Sequence, residues 1–238
     1  MIALPTFRGA LAGFNPRSLS PALWLNDTGS DPSVWTDISG NGRNATQATG
    51  ANQPSIVTGV LNGRQVRRFD GVNDVLIPPD FNLDNFTIFS VIYHNNTVSG
   101  SIQSIFAIGS IANSARDAMI YIFNSTTLRF DVQRSNGVLF PAAATPTTNL
   151  IFQITSGKFT GTQLVSYINN GTKNIVDTTV SGTTENKPTV GAYKHDGIID
   201  GYFKGDIAEL IVYPTSLSDA NCLRVEKYLS NKYNIAIA

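Results

Sequence analysis

Short apolar runs, each closed by a cluster of Gly, Asn, Pro or Ser, recur along most of this chain, and that rhythm constrains the fold more than anything else in it. Phe86 to Tyr93 (FTIFSVIY) is apolar at nearly every position, which predicts a central strand buried on both faces. Leu128 to Gln133 alternates instead, with Leu128, Phe130 and Val132 on one face and Arg129, Asp131 and Gln133 on the other. Further strands are expected at Ala22–Leu25, Val66–Phe69, Val75–Ile77, Ser104–Ile108, Met119–Phe123, Val138–Phe140, Leu150–Ile154, Leu164–Ile168, Lys173–Thr178, Pro188–Tyr193 and Ile207–Tyr213. Asn136-Gly137 and Asn170-Gly171 are hairpin-turn signals between them. About eleven or twelve short strands at close spacing, without a repeat of fixed period, describe one antiparallel sandwich or barrel rather than a propeller.

One helix is expected, at the C-terminal end. Ser218 is placed to cap it, Asp219 lies in its first turn, and Leu217 and Cys222 stand at the two positions of a hydrophobic staple. Cys222, Val225, Leu229 and Tyr233 recur at helical spacing, so Cys222 reads as a small buried hydrophobe and not as a nucleophile. As the single cysteine, it excludes an intrachain disulfide.

The stretch Trp35 to Gln47 (WTDISGNGRNATQ) is too rich in turn formers for a strand or helix interior, yet its indole needs burial. It reads as a tight ordered loop pinned to the core by Trp35. Residues 1 to 20 have no clear periodicity; Phe7, Leu11 and Phe14 among Gly, Pro and Arg suggest an arm that packs on a partner or wraps the domain, a flexible leader being the alternative.

Charge settles what the chain does not address. The 238 residues carry 17 basic and 17 acidic side chains, with no basic block or acidic tail, so nucleic acid and anionic membrane are not expected partners. The N-terminus lacks a charged region followed by an apolar stretch, and no run approaches a membrane span, which suggests a chain made and folded in the cytoplasm.

Three stretches together resemble the laminin-G-like, concanavalin-A-like jelly rolls of bacterial and bacteriophage proteins. They are ALWL followed by WTDISGNGRNATQ, then VRRFDGVNDVLIPP, then GDIAELIVYPTSLS with the terminal helix, in the family order. The leader FNPRSLSPALWL is also similar to openings common in phage structural proteins, although Asn26-Asp27-Thr28 replaces the Asp-Ala-Ser that members often place after ALWL. The resemblance implies an all-β fold, an antiparallel two-sheet jelly-roll sandwich over residues 21–238 with a short C-terminal α-helix, preceded by the arm at 1–20. It implies a virion setting, with other virion proteins and further copies of the chain as partners. It says less about function, because the fold serves lectins, adhesion domains, hydrolases and structural spacers alike.

Chemistry is sparse. Glycoside hydrolysis usually needs two carboxyl groups flanking the bond. The three glutamates, Glu185, Glu209 and Glu226, are not paired at such spacing, and the Asp70/Asp74 and Asp196/Asp200 pairs sit where acids more often stabilise loops. The two histidines come without a nucleophile elbow, and there is no phosphate loop, CxxC or HExxH. Calcium is the one metal worth carrying: Asp37, Asn41 and Asn44 in the first loop, with Asp70 and Asp74 in the second, offer the oxygen donors it takes. The competing reading is a turn that satisfies itself. Glycan binding asks for an aromatic platform beside amides and carboxylates, which the loop holding Tyr193, His195 and Asp196, with Tyr202 beyond, supplies; the pair Asn95-Asn96 at the end of the Phe86 strand is a second candidate. An ordinary solvated loop competes with each. The leading expectation is a non-enzymatic virion module binding glycan or cell surface. A purely structural capsid-decoration or tail component is the alternative, and a polysaccharide-cleaving enzyme stands third.

Overall fold

The computed structural model describes residues 13–95, 101–109, 118–132, 143–178, 187–195 and 197–238. Two antiparallel sheets stack face to face. The larger runs from edge to edge as Asn174–Asp177, Gln163–Ile168, Phe152–Phe159, Phe86–His94, Lys204–Tyr213, Arg64–Asp70 and Ser55–Leu61. Leu23–Leu25 continues the edge occupied by Arg64–Asp70, pairing with the last residues of Lys204–Tyr213. The smaller sheet runs Ala143–Pro146, Thr127–Val132, Ala118–Phe123, Ile102–Gly109 and Lys187–Val190. The chain is therefore an all-β jelly-roll sandwich with one α-helix, Asp219–Tyr233, at its C-terminal end.

The unbroken apolar run of Phe86–His94 is explained by what lies on each side of it. Phe86, Ile88 and Ile92 face the smaller sheet, joining Ile105, Ile120, Leu128 and Phe130 in the central core. Phe89 and Val91 point the other way, into a second core with Ala208, Ile211 and the helix residues Cys222, Val225, Leu229 and Tyr233. The larger sheet is thus covered on both faces, and only such a sheet needs strands without alternation. At the centre, Phe86 meets Phe130 edge-on at 5.7 Å between centroids and Phe159 at 5.9 Å. Gly157 permits this, since a Cβ there would sit 2.7 Å from the Phe130 ring.

The helix begins where the sequence places it. The Ser218 hydroxyl accepts from the Asn221 amide at 3.3 Å, and Leu217 and Cys222 share one core cluster. Lys173 and then Lys158, both bonded to Asp219, pull that first-turn carboxyl down to about 2. Ahead of the first strand, Pro16–Leu19 forms one 3-10 turn; the Tyr213 hydroxyl donates to the Pro16 carbonyl, and Phe14 lies under the Arg224 guanidinium at 4.5 Å.

Several strand expectations need correction. Val75–Ile77 makes only isolated bridges, Leu76 to Val190 and Ile77 to Thr46, because Pro78-Pro79 leaves it no room to extend. Leu150 and Ile151 are outside their strand and exposed, at 53% and 47%; pairing starts at Phe152. Pro188–Tyr193 is two strands, since the chain turns at Gly191 and Tyr193–His195 pairs with Ile198–Asp200 as a hairpin over the smaller sheet. Ser55–Leu61 was not expected: it is an edge strand, half-exposed throughout and interrupted by Gly59, so it shows neither periodicity. Asn136-Gly137, Val138–Phe140 and the arm up to residue 12 lie outside the described residues.

Candidate functional site

Strand register builds a site that spacing along the chain does not reveal. Ser55 pairs with Arg68, Arg68 with Asp206, Asp206 with Tyr93, and Tyr93 with Phe152. Directly paired residues in an antiparallel sheet share a face, so these five form one transverse row. The row lies on the face that the helix covers elsewhere, in step with Phe89 and Val91 of the same strand.

Two pairs dominate the row. The Arg68 guanidinium grips Asp206 with both arms, Nε to Oδ1 at 2.7 Å and Nη2 to Oδ2 at 2.9 Å. Asp206 is almost fully buried whereas Arg68 is half-exposed, so the carboxylate fixes a guanidinium that still faces solvent. Beside them Tyr93 and Phe152 lie tilted at 42° with centroids 5.3 Å apart, both half-buried. Gly205, next to Asp206, lets the two strands close up here: its Cβ would fall 2.1 Å from the Tyr93 carbonyl oxygen.

The row forms the floor of a groove of about 790 Å3. Asp70, Asp74, Asn95, Lys204 and Gln53 contribute its polar walls. No helix residue lines it. The acidic wall is held by its own loop: Asp70 Oδ1 accepts from the amides of Val72 (2.8 Å), Asn73 (3.2 Å) and Asp74 (3.4 Å), and Asp74 Oδ2 accepts from the Asp70 amide at 2.8 Å. Burial, and secondarily the charge of Asp70, push the Asp74 carboxyl above its ordinary range. Asn95 is exposed at the end of its strand, with its amide donating to the Lys204 carbonyl at 3.0 Å.

The structure separates the residues that sequence reading grouped for glycan contact. Asn95 reaches the groove, whereas Asn96 and Asp196 lie outside the described residues. Tyr193 is not a platform. It is 5% exposed, packs with Ala107, Met119 and Tyr121 beneath the hairpin, and is stacked on His195 at 5.4 Å. Tyr202 donates its hydroxyl to the Ile199 carbonyl at 3.2 Å. Tyr193 pins the hairpin to the smaller sheet, and neither tyrosine lines the groove.

The first loop is closed by its own hydrogen bonds. Asp37 Oδ1 accepts from the amides of Trp24 (3.0 Å) and Ser39 (2.9 Å), and Oδ2 from the Ser39 hydroxyl (2.8 Å) and the Arg43 amide (2.9 Å). Asn44 Oδ1 accepts from the Asp37 amide, and Asn41 donates to the carbonyls of Pro21 and Ala22. Four donors occupy the acceptor sites of the Asp37 carboxylate, so the loop is held by its own groups. Among the described residues no group of three or more His, Cys, Asp or Glu is arranged to hold a metal.

Sequence reading missed Tyr93, Phe152, Arg68 and Asp206. Each lies in or beside an expected strand, but only the pairing across four strands brings them together. It also missed two buried acids. Glu209 follows a bulge in the Lys204–Tyr213 strand that turns both Ala208 and Glu209 toward the helix. There it accepts from Trp24 Nε1 (2.6 Å), the Tyr233 hydroxyl (2.7 Å) and Lys232 Nζ (2.7 Å). Glu226, fully buried on the helix, accepts from Ser156 Oγ and the Asn170 amide, and burial raises its carboxyl to about 7.

No protein family matches this chain, and no curated protein matches its sequence. Solved structures do. The botulinum neurotoxin serotype D binding domain superposes with a TM-score of 0.65 at 15% identity, over 89% of this chain and 51% of that one. Trypanosoma rangeli sialidase, in complex with sialic acid, gives 0.63 at 13% identity over 90% of this chain, which spans about a third of the sialidase (33%). The CBM40 of Ruminococcus gnavus IT-sialidase, bound to α2,3-sialyllactose, gives 0.51 at 20% identity over 60% of this chain and 83% of that one. Identities this low speak for the fold alone, and that fold is an antiparallel β-sandwich.

Proposed function

We propose that this protein is a non-enzymatic carbohydrate-binding module that takes its glycan in the groove over the Arg68–Asp206–Tyr93–Phe152 row. The row carries the reading: a tilted aromatic pair gives a sugar ring an apolar face to lie on, and the adjacent fixed guanidinium, Asn95 and Asp70 give its hydroxyls directional partners. Two structural neighbours, a CBM40 bound to α2,3-sialyllactose and the binding domain of a botulinum neurotoxin, support the class. The engaged carboxylates support binding over cleavage, since Asp206 is held by Arg68 and Asp70 Oδ1 accepts from three backbone amides.

The resemblance to laminin-G-like phage proteins extends the proposal to a virion surface facing the host cell, with a jelly-roll domain over 21–238 and the arm at 1–20 tying it to other virion proteins or to further copies. Deleting residues 1–20 and measuring incorporation and oligomeric state tests that setting. Calcium is kept only at Asp70 and Asp74, two carboxylates against the roughly six to eight oxygens the ion takes. A glycan array run with calcium and with chelator tests the whole reading. Specific binding supports it, equal binding in chelator removes calcium, and silence against every glycan in both conditions removes the glycan.

A second reading rests on Asp70 and Asp74, two carboxyls on one wall of the groove, with Asp74 raised by burial, since glycoside cleavage uses a pair of carboxyls in different protonation states. New reducing ends from an incubated polysaccharide, lost in Asp74→Asn, would favour it.

A further inference from the structure

A second concavity, sharing no residue with the groove, lies between the Pro16–Leu19 turn and the Asp37–Asn44 loop. Its volume is about 500 Å3, and its walls include Arg17, Arg43, Ser20, Asn82, Phe81 and Pro214. No acidic side chain lines it. Among the described residues, neither arginine has a carboxylate within ion-pair distance. By contrast Arg64 is paired with Asp27, Arg68 with Asp206, and Lys232 with Asp27 and Glu209, while the buried Arg67 donates to the Asp31 and Val34 carbonyls.

Both guanidinium groups are held in place by neutral partners. Arg43 lies over the Phe81 ring at 4.8 Å and donates through Nη1 to the Ala22 carbonyl at 2.6 Å. Arg17 donates through Nη2 to the Ile38 carbonyl. A guanidinium carries five N–H donors, so each retains a fork for a further acceptor. The nearest acid by sequence, Asp37, is buried beneath the loop with four donors upon it, and one of these is the Arg43 amide. Two fixed positive charges in a chain of zero net charge do not follow from overall basicity.

We infer that this pocket binds the carboxylate of an acidic monosaccharide, a hexuronate-type sugar. A planar carboxylate matches the guanidinium fork in a way that a tetrahedral anion does not. Pro214 supplies an apolar wall for a sugar ring, the buried Phe81 backs the Arg43 guanidinium, and Ser20 and Asn82 supply partners for the sugar hydroxyls. The site stands independently of the groove, and either can fail without the other.

The test is a titration of the isotope-labelled protein, followed by amide and guanidinium NMR shifts, with glucuronate, glucose and inorganic sulfate as separate probes. Glucuronate is expected to saturate shifts at Arg17, Arg43 and Asn82, glucose to leave them in place, and sulfate to bind at least tenfold more weakly. Arg17→Gln, on an exposed turn outside the Asp37 network, is expected to weaken glucuronate at least tenfold, and Tyr93→Ala in the groove to leave it unchanged. Absence of saturable shifts with glucuronate, equal affinity for glucose or sulfate, or full affinity in Arg17→Gln would each overturn the assignment. Arg43→Gln serves as the second variant, with its amide spectrum showing whether the loop is intact.

Discussion

The outer face of the larger sheet is built by the same strands at both of its ends, yet the ends have opposite characters. At one, the helix lies down on Phe89, Val91 and Ile211, and Glu209 binds Trp24, Tyr233 and Lys232 out of water. Lys232 also meets Asp27 at 2.5 Å, and Asp27 meets Arg64 at 2.8 Å, so the charges form a closed chain. At the other end the helix is absent, and an ion pair and two aromatic rings face a groove. Acid, base and aromatic side chains occur in both places. The comparison teaches that cover, and not composition, separates a structural network from a binding surface: the same chemistry is spent on stability where water is excluded and remains available for a ligand where it is not.

The largest effect is expected at the covered end. Glu209→Ala removes the acceptor shared by Trp24, Tyr233 and Lys232, leaving buried donors and a charge without a partner, and should cost about 3–5 kcal/mol in urea unfolding. The fraction that stays folded should bind glycan as before.

Glu226 comes next, and its effect depends on pH. Its folded carboxyl holds a proton up to about pH 7 against an ordinary value of 4.5, so between these values the folded chain binds more protons than the unfolded one. Stability from this group is therefore greatest below pH 4.5 and falls as pH rises through 7, by roughly 3 kcal/mol in all. Glu226→Gln keeps an acceptor for Ser156 and Asn170 without the charge. Its unfolding free energy relative to the parent should rise between pH 5 and pH 8, and a difference independent of pH would contradict the assignment.

Within the open end, beside the row, Gly205→Ala would drive a Cβ into the Tyr93 carbonyl. A destabilisation of about 1–3 kcal/mol is expected, with binding lowered because the Tyr93 strand must shift. The smallest effect on stability belongs to the open end, where Phe152→Ala removes a half-buried ring at a cost of about 1 kcal/mol. The same change should lower glycan affinity at least tenfold. Stability and binding thus respond in opposite order along one face.

How much of this was legible in the sequence follows the range of the interactions involved. Phe86–His94 announced a doubly covered strand because burial acts on each residue alone, and the helix announced itself through Ser218 and its apolar stripe. Ser55–Leu61 was illegible because an edge strand half in water has no pattern to show. The groove was illegible for a different reason. Arg68 and Asp206 are 138 residues apart, and only the register of Gly205 and Asp206 against Phe69, Arg68 and Tyr93 puts them in one row with Phe152. Tyr193 looked like a platform for want of that same information, since a tyrosine in a Gly-rich loop reads alike whether a hairpin folds it onto a sheet or into solvent. Of the described residues expected for glycan contact, Asn95 alone is in the groove, placed there by the end of its strand.

The central claim is that the exposed row binds sugar. Isothermal titration of the parent chain and of the Tyr93→Ala/Phe152→Ala variant against the best glycan from the array measures it, with unfolding curves as the control on folding. The account predicts saturable binding by the parent and loss of at least tenfold in a variant that still unfolds cooperatively. Unchanged affinity in the folded double variant would contradict it.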